Sequence, residues 1–367
     1  MLETSSSSAT GTLASANEPS VKNQSGWFEP EPTKLPTIQG LRAIAALAVG
    51  WCHLAYGIPE FSGTFLAATG APGYLGVYVF FVISGFIVPH AMLRAGYQLR
   101  NFFSFMAKRM VRVEPPYLFS IVLSVALWYA SSRSSLYQGR AISITWQDLA
   151  LHIGYLVPFF RHHKWISGVY WSLAVEFQYY IALSLMFPLL ASRRQPVRIA
   201  ACLAFACMCA LNRRHHMLPE VAPVFVIGIV TMLYMAGIVK VKELIVMTTA
   251  LSCLTVMSLW PSALVTALAT MACILAAPRL PKFLLLIGDI SYSFYLLHDM
   301  IGTRVIHLGL RFFRPEWYWV LSVVAMLVSL AVSFVVYRLL ERPAKVWAGK
   351  LKYSRPAPVA MAAAANG

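Results

Sequence analysis

Apolar runs follow one another along most of this chain, and short polar or basic segments separate them. A membrane-spanning helix needs about 20 predominantly apolar residues, and most of these runs are close to that length. The pattern predicts about ten spanning helices, at residues 39–58, 74–93, 115–130, 170–190, 197–211, 219–239, 244–260, 261–277, 284–306 and 317–340. A further apolar stretch, at 149–160, is too short to span and is predicted to be interfacial.

The chain is therefore expected to be an all-α, polytopic integral membrane protein with one transmembrane domain at residues 37–353. Its composition agrees, because 59% of the residues are hydrophobic, only 12% are charged and the mean hydropathy is +0.65. Residues 1–36 predict a disordered cytoplasmic tail and lack the apolar core of a secretory signal. Residues 354–367 predict a second disordered tail, and no internal repeat supports a transporter built from inverted halves.

The basic residues predict the orientation of the helices. With the N-terminus inside, 21 of the 30 lysines and arginines fall on the cytoplasmic side. The positive-inside rule therefore places both termini in the cytoplasm. Anionic lipid headgroups account for the net charge of +16, so membrane lipids are expected partners and nucleic acids are not.

The spacing of cysteines and histidines does not indicate a metal site. The six cysteines contain no Cys-x-x-Cys pair and are expected to be free thiols packed among apolar residues. The adjacent pairs His162–His163 and His215–His216 fall in predicted outer loops, where side chains are usually solvated. No metal cofactor is therefore expected.

Two ionisable residues interrupt the first apolar run. Arg42 and His53 are eleven residues apart. On a helix this spacing is about three turns, so both side chains lie on nearly the same face, roughly 16 Å apart along the axis. Ionisable groups inside a membrane helix are costly and usually mark a functional site. Two simpler explanations remain: Arg42 extends to the lipid headgroups, and His53 is a neutral histidine bonded to a backbone carbonyl.

The chemistry of these two side chains suggests a donor substrate. Histidine suits the removal of a proton from an alcohol near neutral pH, and arginine suits the binding of phosphate. A phosphate-bearing donor held at the cytoplasmic face, with its reactive end some 16 Å deeper, must be long and thin. Acyl-coenzyme A has that shape.

Polar groups also enter the next spans. Arg109 and Arg112 are three residues apart and are neighbours on a helix, where they either bind the donor or are ordinary positive-inside charge. Ser84 precedes Gly85 in a run of bulky residues, and this small pair favours close helix packing over chemistry.

Glu176 lies about two turns into the fourth span, in the segment Trp-Ser-Leu-Ala-Val-Glu, which includes Ser172. An unpaired carboxylate there is costly, so a partner is expected. In this topology Glu176 and His53 both fall in the outer half of the membrane. We favour Glu176 as the residue that orients His53 or binds the hydroxyls of the acceptor, over a purely structural pairing.

The ninth span contains the segment Ser-Tyr-Ser-Phe-Tyr-Leu-Leu-His, which ends at His298. Tyr292 and the serines can join helices through hydrogen bonds. His298 and Asp299 are either a second proton-handling pair or part of a helix interface. Glu341, at the end of the last span, is expected to belong to an anchor.

These segments together resemble the acyltransferase-3 family of bacterial multi-pass membrane acyltransferases. The resemblance rests on five motifs in family order between residues 37 and 343: the Arg42–His53 spacing, Phe-Phe-x-x-Ser-Gly-Phe, the Arg109/Arg112-Pro-Tyr segment, Trp-Ser-Leu-x-x-Glu and Ser-Tyr-Ser-x-Tyr-Leu-x-His. It implies ten core helices in the bacterial inner membrane and a cytoplasmic acyl-coenzyme A donor, in the first instance acetyl-coenzyme A. The chain is similar to the single-domain members that O-acetylate exopolysaccharide and nodulation factor.

The resemblance also implies roles for individual residues. His53 is expected to be the catalytic base, Arg42 to be essential, and Arg109 and Arg112 to lie near the donor. The implied reaction is O-acylation of a hydroxyl on a glycan or glycolipid acceptor, such as exopolysaccharide, lipopolysaccharide or a lipo-chitooligosaccharide nodulation factor. The hydroxyl attacks the thioester directly or after an acyl-histidine has formed.

Two other functions remain open. A transporter or flippase for a lipid-linked glycan also places charges in membrane helices, and it moves its substrate unmodified. A structural partner in a polysaccharide export complex needs no catalytic residues. Aromatic residues expected near the outer surface either stack on sugar rings or form the interfacial belt: Trp146, Trp165, Tyr170, Trp317 and Trp319.

Overall fold

A computed structural model describes residues 35–133, 144–160, 162–211 and 215–353. The predicted tails, except for residues 35 and 36, lie outside the described residues. The described residues contain no β-strand and form thirteen α-helices: α1 Pro36–Trp51, α2 Phe65–Gly70, α3 Gly76–Arg94, α4 Phe102–Ser132, α5 Trp146–Ile153, α6 Tyr170–Leu190, α7 Gln195–Ala206, α8 Leu218–Met235, α9 Val241–Ser258, α10 Pro261–Ala276, α11 Lys282–Gly309, α12 Tyr318–Val336 and α13 Arg342–Lys350.

Eight helical segments of the described chain are long and apolar enough to cross a membrane, which confirms the prediction of an all-α, multi-pass membrane protein. They coincide with eight of the ten predicted spans. The other two predicted spans coincide with shorter apolar helices, Gln195–Ala210 and Pro261–Ala276. The stretch predicted to be interfacial contains the short helix α5, which Thr145 and Asp148 close with a reciprocal capping box.

The largest difference from the sequence prediction is at α4. The sequence predicts a span that begins at residue 115, whereas α4 begins at Phe102 and continues through Pro115 and Pro116. Proline removes a backbone donor, but in a membrane bundle neighbouring helices can satisfy the carbonyls that it frees. The carbonyls that Pro115 and Pro116 free are those of Val111 and Arg112, and next to them the hydroxyl of Tyr292 on α11 donates to the carbonyl of Val113 at 2.9 Å. The basic residues before the prolines are consequently helical, as their spacing requires.

Two of the long helices continue into a π-helical turn. α1 is extended by Cys52–Tyr56, and α12 by Tyr337–Glu341. Such turns shift the register of the side chains and often accompany functional sites. Each of these turns brings one ionisable side chain against α11, namely His53 and Glu341.

Small residues allow the central helices to approach closely. A Cβ at Gly85 on α3 or at Gly228 on α8 would lie 2.2 Å from a backbone oxygen of the other helix. The predicted role of the Ser84–Gly85 pair in close packing is therefore confirmed at Gly85. In α8, 14 of the 18 residues are buried, which is typical of a helix with neighbours on every side.

Helices α1 and α11 begin at the same end of the bundle and run side by side. The amide of Gln39 on α1 donates to the carbonyl of Leu285 near the start of α11, at 2.9 Å. Lys345 on α13 reaches the same level, because its Nζ lies 3.3 Å from the carbonyl of Asp289. We call this end, where α1, α4 and α11 begin, the basic end.

Candidate active site

Two cavities lie along α11, one near its start and one near its middle. The first, which we call the arginine cavity, has a volume of about 130 Å³ and is formed by α1, α3, α4, α6, α11 and the segment around α13. Its polar lining consists of Arg42, Ser84, Arg109, Arg112, Ser172, Glu176, Tyr180, Ser291, Tyr292, Tyr295, Glu341 and Lys345. Most of the residues singled out in the sequence therefore meet in one place.

Arg42 is oriented in this cavity by α11. Its Nε and Nη2 donate to the hydroxyl of Ser291 at 3.2 and 3.1 Å. That hydroxyl in turn donates to the carbonyl of Gly288 at 2.8 Å. Because Ser291 is neutral, this pairing positions the guanidinium without cancelling its charge. The side chain points between helices, which differs from an arginine that extends to the lipid headgroups.

Arg109 is held between two aromatic rings. The centre of its guanidinium lies 5.4 Å from the ring centroid of Phe105 and 5.3 Å from that of Tyr180. Cation–π contacts hold the flat face of a guanidinium and leave its edge available for oxyanions. Arg112 lies about one turn further along α4 and lines the same cavity. The predicted proximity of the two arginines is therefore present in the fold.

Glu176 lines the arginine cavity. Its Oε1 accepts hydrogen bonds from the hydroxyls of Ser84 and Tyr180, both at 2.7 Å. The partner that its burial requires is thus supplied by two hydroxyls, with cationic side chains in the same cavity. The carboxylate beside His53 is a different one, as described below.

Two charged residues of this cavity were not among the sequence-based candidates. The Oε2 of Glu341 accepts from the backbone nitrogen and the hydroxyl of Ser293, at 3.1 and 2.5 Å. Its other oxygen lies 2.7 Å from Nζ of Lys345. Glu341 is only 1% exposed, so it belongs to the interior of the bundle and not to an anchor at its surface. The available signal was the spacing of Glu341 and Lys345, which are neighbours on a helix at i and i+4.

The arginine cavity carries a net positive charge. Four cations outweigh two carboxylates, which gives a formal charge of +2 on its lining: Arg42, Arg109, Arg112 and Lys345 against Glu176 and Glu341. Uncompensated charge among membrane helices is costly and is usually retained for a ligand of opposite sign. The lining therefore suits a dianionic group.

The second cavity, which we call the histidine cavity, has a volume of about 110 Å³. Its lining comes from α1, α3, α6 and α11: Val49, His53, Tyr74, Val77, Tyr78, Gly168, Val169, Trp171 and Tyr295. Trp171 also stacks on His216, with ring centroids 4.7 Å apart. An aromatic wall of this kind is suited to the apolar face of a sugar ring.

His53 projects from the π-helical turn toward Asp299 of α11. Its Nδ1 lies 3.5 Å from a carboxylate oxygen of Asp299, and the two side chains are 32% and 26% exposed. A carboxylate at Nδ1 favours the tautomer in which Nδ1 carries the hydrogen, which leaves Nε2 as the basic atom. It also stabilises the imidazolium that forms when Nε2 takes up a proton.

His298 packs beside His53 as a fully buried second imidazole. The two ring centroids are 5.1 Å apart, with the planes at 76°. Nδ1 of His298 lies 2.9 Å from the carbonyl of Phe294, which can only accept, so Nδ1 must carry the hydrogen. Within the described part of the chain Nε2 of His298 has no hydrogen-bond partner. Nε2 of His298 is therefore an acceptor to which no described group donates a hydrogen bond.

Tyr295 separates the two cavities, since it lines both of them, as Val77 does. Its hydroxyl lies 2.7 Å from that of Ser172, which lines the arginine cavity. The same hydroxyl lies 3.4 Å from the carbonyl of Val169, which lines the histidine cavity. The hydroxyl of Tyr295 thus contacts one residue of each cavity.

The aromatic residues considered for sugar stacking have different surroundings. Tyr170 is fully buried, and its hydroxyl lies 2.9 Å from that of Ser120, so neither alternative considered for it, sugar stacking or the interfacial belt, describes its position. Its position at the start of the span suggested a belt residue, but its ring is covered by α4 and α5. Of the four tryptophans considered for sugar stacking, Trp146, Trp317 and Trp319 are exposed.

Comparison with known proteins identifies the family. A family model described as an acyltransferase domain matches residues 35–338. The chain belongs to the acyltransferase-3 family. The resemblance inferred from the five motifs is thereby confirmed, and all five lie inside the matched residues. Glu341 and Lys345, which complete the arginine cavity of this acyltransferase-3 chain, lie just beyond them.

Two relatives of this acyltransferase-3 chain illustrate the similarity. Acyltransferase MdmB of Streptomyces mycarofaciens is 27% identical over 190 residues, which are 49% of this chain and 46% of the relative. O-acetyltransferase OatA of Staphylococcus aureus is 25% identical over 194 residues, 49% of this chain and 29% of the relative. The chain therefore spans less than half the length of either relative. No solved structure matches it.

Proposed function

We propose that this chain is a membrane-bound O-acyltransferase that moves an acyl group, in the first instance acetyl, from acyl-coenzyme A to a hydroxyl of a bacterial glycan or glycolipid. The observation that carries the proposal is the pair of cavities that meet at Tyr295, one cationic and one containing His53. Two relatives named as an acyltransferase and an O-acetyltransferase support the same reaction class.

The donor enters from the basic end, which we propose is cytoplasmic because the topology predicted from the sequence assigns most lysines and arginines to that side. The diphosphate of coenzyme A carries two negative charges, which match the +2 charge of the arginine cavity. Arg42, Arg109 and Arg112 contact it as forked or stacked donors. The eleven residues from Arg42 to His53 correspond to about 16 Å. The slender pantetheine arm covers this distance.

The acceptor is bound at the histidine cavity. Trp171, Tyr74 and Tyr78 provide an aromatic lining for a sugar ring. Exopolysaccharide, lipopolysaccharide and lipo-chitooligosaccharide nodulation factor all present suitable hydroxyls, and we assign the acceptor only to this class. The outer end of the bundle then faces the periplasm, and the protein is placed in the bacterial inner membrane.

His53 acts as the general base. Its Nε2 removes the proton from the acceptor hydroxyl as that oxygen attacks the thioester carbonyl. Asp299 holds the ring and stabilises the imidazolium. The tetrahedral intermediate collapses, the carbon–sulfur bond breaks, and the thiolate of coenzyme A takes the proton from His53. The products are the O-acylated glycan and free coenzyme A, and His53 is again neutral.

A variant of this mechanism forms an acyl-histidine. In it the neutral Nε2 of His53 attacks the thioester and the thiolate of coenzyme A leaves, which gives an acyl-imidazolium. The acceptor hydroxyl then attacks this acyl group, neutral His53 is restored, and the hydroxyl proton passes finally to the thiolate. His298 lies beside His53 with a bare Nε2 and can take the hydroxyl proton in that second step. Trapping of radiolabelled acetyl on the protein in the absence of acceptor distinguishes the two routes.

Mass spectrometry of exported glycans and glycolipids tests the proposal. Four strains are compared: wild type, a deletion, and the deletion complemented with His53→Ala or with His307→Ala, a control on the exposed end of α11. We expect one acyl increment to disappear in the deletion and in His53→Ala and to return with His307→Ala. Glycans that keep their acylation but are absent from the cell surface would instead indicate the transporter.

A further inference from the structure

A third pocket opens at the basic end, where the residues after α13 fold over the start of α4. Its volume is about 430 Å³. That is within the roughly 300–1,000 Å³ of typical ligand pockets, whereas the arginine cavity is smaller. Its polar lining comes from the α3–α4 connection, from α4 and from the C-terminal segment: Gln98, Arg100, Asn101, Lys108, Lys352 and Tyr353.

The charge of this third pocket is uniformly positive. Arg100, Lys108 and Lys352 converge on it, and none of the described residues that line it is acidic. The positive-inside rule accounts for basic residues at this end but not for their convergence on a concave surface. Three cations that line one concave pocket raise the potential inside it and favour an anion with more than one charge.

An aromatic ring lies beside these cations. The Nζ of Lys108 is 6.0 Å from the ring centroid of Tyr353. That ring packs edge-on against Tyr97, with centroids 5.9 Å apart. A fixed aromatic ring is a platform on which a nucleotide base can stack. Phosphate-binding cations and a stacking platform in one pocket are the elements of a nucleotide site.

The third pocket is adjacent to the arginine cavity. On α4, Lys108 of the pocket is followed directly by Arg109 and, four residues later, by Arg112 of the cavity. On α13, Lys345 of the cavity is followed four residues later by Gly349 of the pocket. Four residues are about one helical turn, or roughly 6 Å. The two sites are therefore offset by about one turn along both helices that they share.

We infer that the third pocket binds the nucleotide end of the acyl donor, with the phosphate on its ribose taken by Arg100, Lys108 and Lys352. This inference rests on the proposed function. The donor then extends from this pocket, with its diphosphate in the arginine cavity and its thioester at His53. The bulky nucleotide stays outside the bundle, where the pocket is wide, and only the thin arm enters.

The experiment compares two donors that differ in one phosphate. Apparent KM is measured for acetyl-coenzyme A and for acetyl-dephospho-coenzyme A, which lacks the ribose phosphate, with full-length protein in nanodiscs. The variants are R100Q, K108Q, K352Q and their combination. K350Q, an exposed lysine of α13 that does not line the pocket, is the matched control. Elution of each variant as a single species in size-exclusion chromatography checks folding.

Wild type and K350Q are expected to bind the dephospho donor about tenfold more weakly, as loss of charge-assisted hydrogen bonds predicts. In the combined variant the ratio of the two KM values is expected to fall to about 1. Each single variant is expected to lower the ratio partly. A ratio that stays at the wild-type value in the combined variant overturns the inference, and so does a ratio near 1 in wild type.

Two further readouts separate the alternatives. A lipid headgroup offers the same phosphate chemistry, so the assay is repeated in nanodiscs with phosphatidylcholine alone and with added phosphatidylglycerol. The inference is overturned in favour of a lipid site if phosphatidylglycerol stimulates acetyl transfer by wild type but not by the combined variant, while the combined variant keeps the wild-type ratio of the two KM values. If wild type transfers no acetyl from either donor, the proposed function fails. Equilibrium dialysis with adenosine 3′,5′-bisphosphate then tests nucleotide binding by the third pocket independently of acetyl transfer. Binding that depends on Lys108 supports a nucleotide site, and no binding overturns it.

Discussion

The carboxylate of Asp299 lies 3.5 Å from Nδ1 of His53, and this contact joins the π-helical turn after α1 to the middle of α11. The same turn brings the ring of His53 against that of His298. The contacts of His53 with Asp299 and with His298 therefore depend on one local change of helical register. Asp299 is therefore the residue that orients His53, and a change of Asp299 should impair the function of His53 as a base.

Replacement of Asp299 by asparagine keeps the size of the side chain and removes its charge. We expect kcat for acetyl transfer to fall about 100-fold or more, because the imidazolium of His53 loses its counter-charge and its tautomer is no longer fixed. KM for acetyl-coenzyme A should change little. Asp289→Asn, ten residues earlier on α11, is the matched control. Equal losses in both variants would argue for a general effect on α11.

Arg42→Lys tests whether the guanidinium or only its charge is needed. Lysine cannot make the two bonds to Ser291 or present a fork to a phosphate. We expect the apparent KM for acetyl-coenzyme A to rise about tenfold. The control is Arg94→Lys, at the exposed end of α3. Wild-type KM in Arg42→Lys would mean that Arg42 is far from the donor during turnover.

Tyr295 is expected to select the acyl group, because it lies on the partition that the thioester must pass. Tyr295→Ala joins the two cavities, so we predict a higher ratio of butyryl to acetyl transfer and faster hydrolysis of acetyl-coenzyme A without acceptor. Tyr295→Phe keeps the ring and loses only the contacts of the hydroxyl with Ser172 and with the carbonyl of Val169. It should retain the wild-type acyl preference. The same broadening in both variants would assign selection to the hydroxyl and not to the ring.

The stability of the outer segment around α5 should decrease at acidic pH. Hydrogen bonds from His163, and then from Thr145, lower the pKa of Asp148 from 3.8 to about 2. A carboxyl with a lowered pKa stabilises the fold above its unfolded value and loses that contribution as pH falls through its folded value. We expect α5 to lose protection in hydrogen exchange between pH 3.8 and about 2. Asp148→Asn should remove this dependence, and an unchanged transition in that variant would exclude Asp148 as its origin.

The sequence was sufficient for the fold class and for much of the arginine cavity. Apolar run length determines which helices can span, and helical spacing brings Arg109 near Arg112 whatever the tertiary structure. The extent of α4 was not accessible in this way, because proline normally ends a helix. Whether a helix continues through two prolines depends on its neighbours, and here Tyr292 of α11 holds this part of α4 through the carbonyl of Val113.

The partners of individual charges could not be read from the sequence either. Glu176 and His53 were placed at similar depth, but depth within a membrane does not specify rotation or register. Ser172 bonds to Tyr295, which lies between the two cavities. Glu176 lies about one turn after Ser172 on α6 and lines the arginine cavity. Asp299 became the neighbour of His53 through a π-helical turn, which leaves no pattern in apolar spacing.

Transfer of radiolabelled acetyl from acetyl-coenzyme A to endogenous glycan, in sealed membrane vesicles of opposite orientation, tests the central proposal most directly. Inside-out vesicles expose the basic end to the added donor. We predict incorporation there with wild type and His307→Ala, none with His53→Ala, and none in right-side-out vesicles with any of the three. Incorporation with His53→Ala, or equal incorporation from both sides, would contradict a donor that enters at the arginine cavity and reacts at His53.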